Sequence, residues 1–199
     1  MAQKYLDMTF TDAVCHVKTQ YYGRAGKLTG APDRDPLGDA EAEFIGARDG
    51  FYLGTISESG RPYIQRRGRP ASFLRVLNGT TLMFADYKGN RQLLSTGNIS
   101  INDRVALFLM DYTHCERLKI LGHAHVADAR LHSELVVEVS DANTRSSVER
   151  LVFIDVVSFD WNYPKYITPR YSAAEIEELA GPLRARIIEL EAQLQAAKA

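Results

Sequence analysis

From Phe51 to Phe159 the chain is dominated by short apolar or alternating runs separated by turn residues, a pattern that suits strands rather than long helices. The runs are Phe51–Ile56, Pro62–Gly68, Ser72–Leu77, Thr80–Phe84, Arg104–Tyr112, Arg117–Ala127 and Leu151–Phe159. Ser57-Glu-Ser-Gly60 reads as a hairpin turn, and Asn78-Gly79 supplies another turn signal. A mainly β, mostly antiparallel architecture follows. Helical spacing brackets it. Ala13, Val14, Val17 and Tyr21 sit behind an N-cap at Thr11 or Asp12, and Asp39 can cap a second helix through about Ala47. Short helices are expected near Asn90–Thr96 and Ala129–Val139. Past Pro169, Ser172-Ala-Ala-Glu175 is a capping box, Gly181-Pro182 interrupts, and a helix resumes from Leu183 with Pro182 at its first position. Leu183, Ile187, Leu190 and Leu194 form an apolar stripe that packs on the chain's own domain or on a partner subunit.

The 199 residues divide as 45% hydrophobic and 25% charged, with 24 Lys plus Arg against 25 Asp plus Glu. A chain of this size and balance folds without staples, and neither collagen-like nor disordered character fits. No apolar run approaches the roughly 20 residues of a membrane span, and nothing before Met8 has the form of a signal peptide. The only cysteines, Cys15 and Cys115, make no disulfide or metal framework, so a cytoplasmic protein with reduced thiols is expected. His123 and His125 share one strand face, but only His114 or His132 could join them; polar strand positions, not metal ligands, are expected. No GxSxG elbow, HExxH, P-loop or GxGxxG stands in the sequence, which disfavours hydrolase, kinase and dinucleotide-fold readings.

Three features carry chemistry. Between Ser59 and Ala85 there is no acidic residue but there are five arginines, Arg61, Arg66, Arg67, Arg69 and Arg75. On a strand through Pro62–Gly68, Tyr63, Gln65 and Arg67 share one face and Ile64 and Arg66 the other, so one arginine of the pair turns into a cleft; a one-residue slip exchanges them. An anionic ligand fits this, as does a charged, solvated edge strand. Phe84-Ala-Asp-Tyr-Lys-Gly-Asn-Arg-Gln92 reads as a strand end, a tight turn and a helix start near Asn90, with Lys88 and Arg91 beside unpaired N–H groups: a phosphate site in outline, or an ordinary capped turn. The third is Phe159–Tyr171, where Trp161, three tyrosines, Lys165 and Arg170 are interspersed with two prolines as a flap or a plain connector. With a net charge of −1 and no nucleic-acid motif, nucleic acid is not an expected partner.

Taken together these segments resemble the pyridoxamine 5'-phosphate oxidase-like, FMN-binding split-barrel family, over roughly Glu41 to Arg170. Gly60-Arg-Pro62 with Gln65-Arg66-Arg67, the Phe84–Arg91 segment, Asn102–Leu109, Arg117–Gly122 and Phe159-Asp-Trp161 carry the resemblance by their order and spacing. It implies a six-stranded antiparallel split barrel over residues 1–171, with N-terminal helices at about 11–47 and a helical extension over 172–199. It also implies a homodimer with FMN at the subunit interface. The FMN-binding residues would be Gln65, Arg66, Arg67, Phe84, Ala85, Asp86, Asn90, Arg91 and Arg117, with Trp161 and Arg170 supplied by the second subunit. Lys88 would share the phosphate. Thr96 and Asn98 add hydrogen bonds to the flavin, or Gly97 simply ends a helix there.

The sequence also departs from the family's pattern. Asn90 stands where the true oxidases are basic, and their C-terminal histidine and paired arginines are absent, so vitamin B6 oxidation is not implied. The resemblance points to an oxidoreductase of the pyridoxamine 5'-phosphate oxidase-related type acting on a small substrate. A non-catalytic FMN carrier or redox-sensing module is the alternative, as is a haem- or deazaflavin-binding relative. No catalytic residue can be named.

Overall fold

A computed structural model describes residues 3–26, 30–161 and 165–198. The chain falls into two compact units: Met1–Met110 with Arg117–Tyr163, and Asp111–Glu116 with Pro164–Ala199. The first begins with helices α1 (Gln3–Thr9), α2 (Asp12–Tyr22) and α3 (Asp39–Gly46). Strands β1 (Gly50–Ile56), β2 (Pro62–Gly68), β3 (Arg75–Asn78) and β4 (Thr81–Tyr87) follow, then helix α4 (Leu94–Ile101). Next come β5 (Arg104–Asp111), β6 (Glu116–Asp128), helix α5 (Ser133–Val139) and β7 (Val148–Trp161). Helix α6 (Ala173–Lys198) belongs to the second unit.

The strands form one sheet in the order β2-β1-β5-β6-β7-β4-β3, so it has seven strands, one more than the resemblance implies. The run expected over Ser72–Leu77 becomes the four-residue edge strand β3, which starts only at Arg75, because Phe73 and Leu74 are drawn into the core. The sheet curls on itself. Arg67 of β2 and Asp86 of β4, near opposite ends of the strand order, meet at 2.7 Å, a distance no flat sheet allows. Inside the curl Phe51, Leu53, Phe84, Leu107, Leu109, Leu118, Ile120 and Ile154 form one core cluster, closed by Ile45 of α3. Gly122 marks a register break between β6 and β7. A Cβ there would stand 2.5 Å from the Asp155 carbonyl oxygen, so only glycine lets the strands approach.

Helix ends depart from expectation for local reasons. Thr11 caps α2 as expected, its hydroxyl accepting from the Val14 N–H. Gly38 rather than Asp39 is the N-cap of α3, because the Glu41 carboxylate reaches back to the Gly38 N–H at 2.9 Å. Helix α4 starts at Leu94, not near Asn90. The Asn90 side chain captures the Gln92 N–H, and Arg91 (φ 63°) and Leu93 (φ 52°) adopt left-handed backbone, which breaks any earlier turn. Gly97 therefore lies inside α4 and does not end it; Asn102 does. The helix expected over Ala129–Val139 divides at His132 into a 3-10 turn and α5.

Helix α6 runs unbroken through Pro182. The carbonyl of exposed Glu178 that loses its N–H partner there can turn to water. Its start is the expected capping box: the Glu175 carboxylate accepts the Ser172 N–H at 2.7 Å and the Ser172 hydroxyl accepts the Glu175 N–H. The stripe expected to pack on the chain's own domain or on a partner subunit, Leu183, Ile187, Leu190 and Leu194, is 47–68% exposed.

Candidate functional site

Strand β2 is an edge strand whose residues alternate strictly. Tyr63, Gln65 and Arg67 turn inward, whereas Ile64 and Arg66 face solvent. This settles the choice between the two arginines: Arg67 is the one aimed into the curl. Its Nη1 donates to Asp86 Oδ1 at 2.7 Å, and Arg150 of β7 donates from Nε to Asp86 Oδ2 at 2.8 Å. Asp86, 7% exposed, is therefore clamped between two guanidinium groups, a buried carboxylate that only such pairing tolerates. Burial would pull the Arg150 pKa down, but hydrogen bonds and charge from Asp86, then Glu149, raise it above the ordinary arginine value. The Arg67 Nε is buried with no hydrogen-bond partner. Such a donor is an unmet demand for an acceptor.

In front of this triad lies a cavity of about 290 Å³, walled by Tyr63, Gln65, Arg67, Asp86, Tyr87 and Arg150 from the strands and by Asn90, Arg91 and Thr96 from the following loop and helix. Gln65 is held in place by the Ser95 hydroxyl, which donates to its side-chain oxygen at 3.0 Å. Leu93 and Leu94 also line the cavity, and α4 has no side-chain cap, so its first-turn N–H groups and positive dipole end stand at the cavity wall. Three arginines against one aspartate leave the lining positive. An anion, and in particular a phosphate, is the ligand such a lining stabilises.

The expected residues thus sort into groups. Gln65, Arg67, Asp86, Asn90, Arg91 and Thr96 come together in the cavity. Arg66, Phe84 and Ala85 line a neighbouring recess of about 180 Å³, which also holds Arg67 and Asp86. Asn98 instead donates to the Thr55 hydroxyl at 2.9 Å, exposed Lys88 is tied by its backbone N–H to the Ser147 carbonyl, and Arg117 at the start of β6 lines neither space. Trp161 sits edge-on to Phe44 at 4.7 Å and donates from Nε1 to Glu41 at 2.6 Å. Arg170, in the second unit, lies over the Tyr112 ring at 5.0 Å. Sequence reasoning missed Tyr63, Tyr87 and Arg150 as lining residues. The signal for Arg150 was the strand pairing that sets it opposite Asp86.

A third and larger space of about 1,030 Å³ adjoins the cavity through Thr96 and Arg150. His125, on its wall, stacks on Phe153 with ring centroids 4.9 Å apart. Of the other histidines, His123 pairs with Asp103 at 2.9 Å, His114 with Asp111 at 3.1 Å and His132 with Glu134 at 3.9 Å, while His16 meets the Gln20 amide at 3.0 Å. Among the described residues no group of three or more His, Cys, Asp or Glu side chains could hold a metal ion, and no helix is long and apolar enough to cross a membrane.

A curled antiparallel sheet flanked by helices, with a basic cavity where its ends meet, defines a protein of the split-barrel class. The pyridoxamine 5'-phosphate oxidase family profile matches residues 37–153, more than half of the chain, and the chain belongs to that family. Among solved structures it is similar to HupZ of Group A Streptococcus, at 12% identity over 68% of this chain and 99% of that one, with a TM-score of 0.49. It is also similar to General Stress Protein 26 of Bacillus anthracis, at 13% identity, 60% and 88% coverage and a TM-score of 0.46. HutZ, the haem storage protein of Vibrio cholerae, is a further likeness, at 17% identity, 61% and 91% coverage and a TM-score of 0.44. No curated protein matches the sequence.

Proposed function

We propose that this chain is an FMN-binding oxidoreductase acting on a small molecule as a cytoplasmic homodimer. The observation that carries the reading is the convergence of Arg67, Arg91 and Arg150 with the uncapped start of α4 on one cavity. Members of this family generally bind flavins and are commonly dimeric. The phosphate of FMN matches the positive lining, and the unpaired Arg67 Nε supports the fit. When bound, the flavin supplies electron transfer that no side chain offers. The chain's own part is to neutralise the phosphate with Arg67 and Arg91 and to fix the position of Arg67 and Arg150 through Asp86. Gln65 presents an amide held by Ser95.

At about 290 Å³ the cavity lies at the lower limit of ligand pockets, which run from about 300 to 1,000 Å³. It suits the phosphate and its chain, so the ring system extends past the rim towards a second copy, whose Trp161 and Arg170 complete the site in this reading.

A visible absorption spectrum tests the reading, taken on protein incubated with FMN and desalted. Retained flavin bands are expected, and bleaching by a reduced nicotinamide faster than that of free FMN supports an enzyme over a carrier. Colourless protein overturns the reading, as does a sharp Soret band in place of flavin bands. Arg67→Ala should weaken FMN binding by about 1.5–3 kcal/mol, the range for a hydrogen bond to a charged group. An unchanged Kd in a fluorescence titration would place the phosphate elsewhere.

A further inference from the structure

Helix α6 has 26 residues, about 39 Å of length, and carries the largest run of exposed apolar side chains in the described chain. Ile176, Leu183, Ile187, Leu190 and Leu194 are 47–68% exposed, and they recur with Ala180 and Ala197 at alternating spacings of four and three. That is a heptad seam, with Ile187 and Leu194 at one core position and Leu183 and Leu190 at the other. Gly181 and Pro182 fall on the opposite side of the helix, where they do not interrupt it.

The charges beside the seam select the occupant. The flanking position next to the seam reads Glu177, Arg184, Glu191, alternating in sign along the helix. Arg184 pairs within the chain with Glu177, whereas Glu191 makes no ion pair among the described residues. We propose that α6 pairs with α6 of a second copy, antiparallel. In one register Leu183 meets Leu194 of the second copy, Ile187 meets its Leu190, and the alanines close both ends. The same register sets Arg184 against Glu191 of the second copy and, by the two-fold symmetry, Glu191 against its Arg184. Helix dipoles also oppose favourably. A parallel pair would instead set Glu191 beside Arg186 of the second copy and Arg184 beside its Leu179, so that Arg184 has no carboxylate across the seam and its reversal should not rescue Glu191→Arg. The inference stands apart from any flavin, since it uses no residue of the cavity.

Cysteine cross-linking of the full chain tests it under mild oxidation, read on a non-reducing gel. The pair Leu183→Cys with Leu194→Cys should give covalent dimers, and Leu183→Cys or Leu194→Cys alone should stay at the level of the parent chain. In the antiparallel register, like residues lie far apart. Equal cross-linking by the single variants would mean a parallel pair and overturn the proposal, as would no dimer from the double variant. Adding Glu191→Arg to the double variant should lower the covalent yield at least several-fold, and adding Arg184→Glu as well should restore it. Loss without rescue would show that the charges do not set the pairing.

Discussion

The closing edge of the sheet and the C-terminal helix treat their side chains in opposite ways. At the closure even a carboxylate is buried and matched: Asp86 takes Arg67 on one oxygen and Arg150 on the other. Along α6 even the leucines lie open to solvent. A buried carboxylate at a barrel edge must find its partners within the chain, whereas a helix satisfies its own backbone and can leave a face for another molecule. Sensitivity to mutation should therefore be concentrated in the first region, and sensitivity to protein concentration in the second.

The largest effect is expected at Asp86. Asp86→Ala leaves two half-buried guanidinium groups facing one another without their shared carboxylate and should lower the stability of the barrel by about 3 kcal/mol, read from urea unfolding. A loss below about 1 kcal/mol would mean that water already reaches the clamp, and the contrast with α6 would fail. Gly122→Ala comes next. Its added methyl must displace the β7 backbone at Asp155, and about 1–3 kcal/mol of destabilisation is expected from overpacking. An unchanged midpoint would show that the sheet relaxes at this bulge.

Much of the closure was legible in the sequence, since period-two alternation placed Tyr63, Gln65 and Arg67 on one face. What alternation cannot say is which face is inward; the curl of the sheet that brings Arg67 to Asp86 of β4 decides it. Arg150 was hidden for a different reason: it stands 64 residues from Asp86, and only the pairing of β4 with β7 brings them together. The start of α4 was misplaced because Arg91 and Leu93 adopt a left-handed backbone that neither residue type announces. On α6 the capping box was read correctly, while Pro182 stopped the reading of a helix that an exposed carbonyl allows to continue.

The smallest expected effect sharpens the comparison from the other side. Glu175 accepts hydrogen bonds from the Ser172 backbone and the Thr113 hydroxyl, and these hold its carboxyl below the ordinary glutamate range. A carboxyl whose pKa is depressed by folding stabilises the folded form above its unfolded value, and that contribution is lost as pH falls through the folded one. Far-ultraviolet circular dichroism should therefore show α6 fraying on acidification before the sheet unfolds, with the onset in the acid range. Ser172→Ala removes the reciprocal half of the capping box, for about 1 kcal/mol, and should bring that onset to higher pH. Should helix and sheet instead melt together in both proteins, α6 would be part of the same cooperative unit as the barrel, and the two regions would differ in exposure but not in folding.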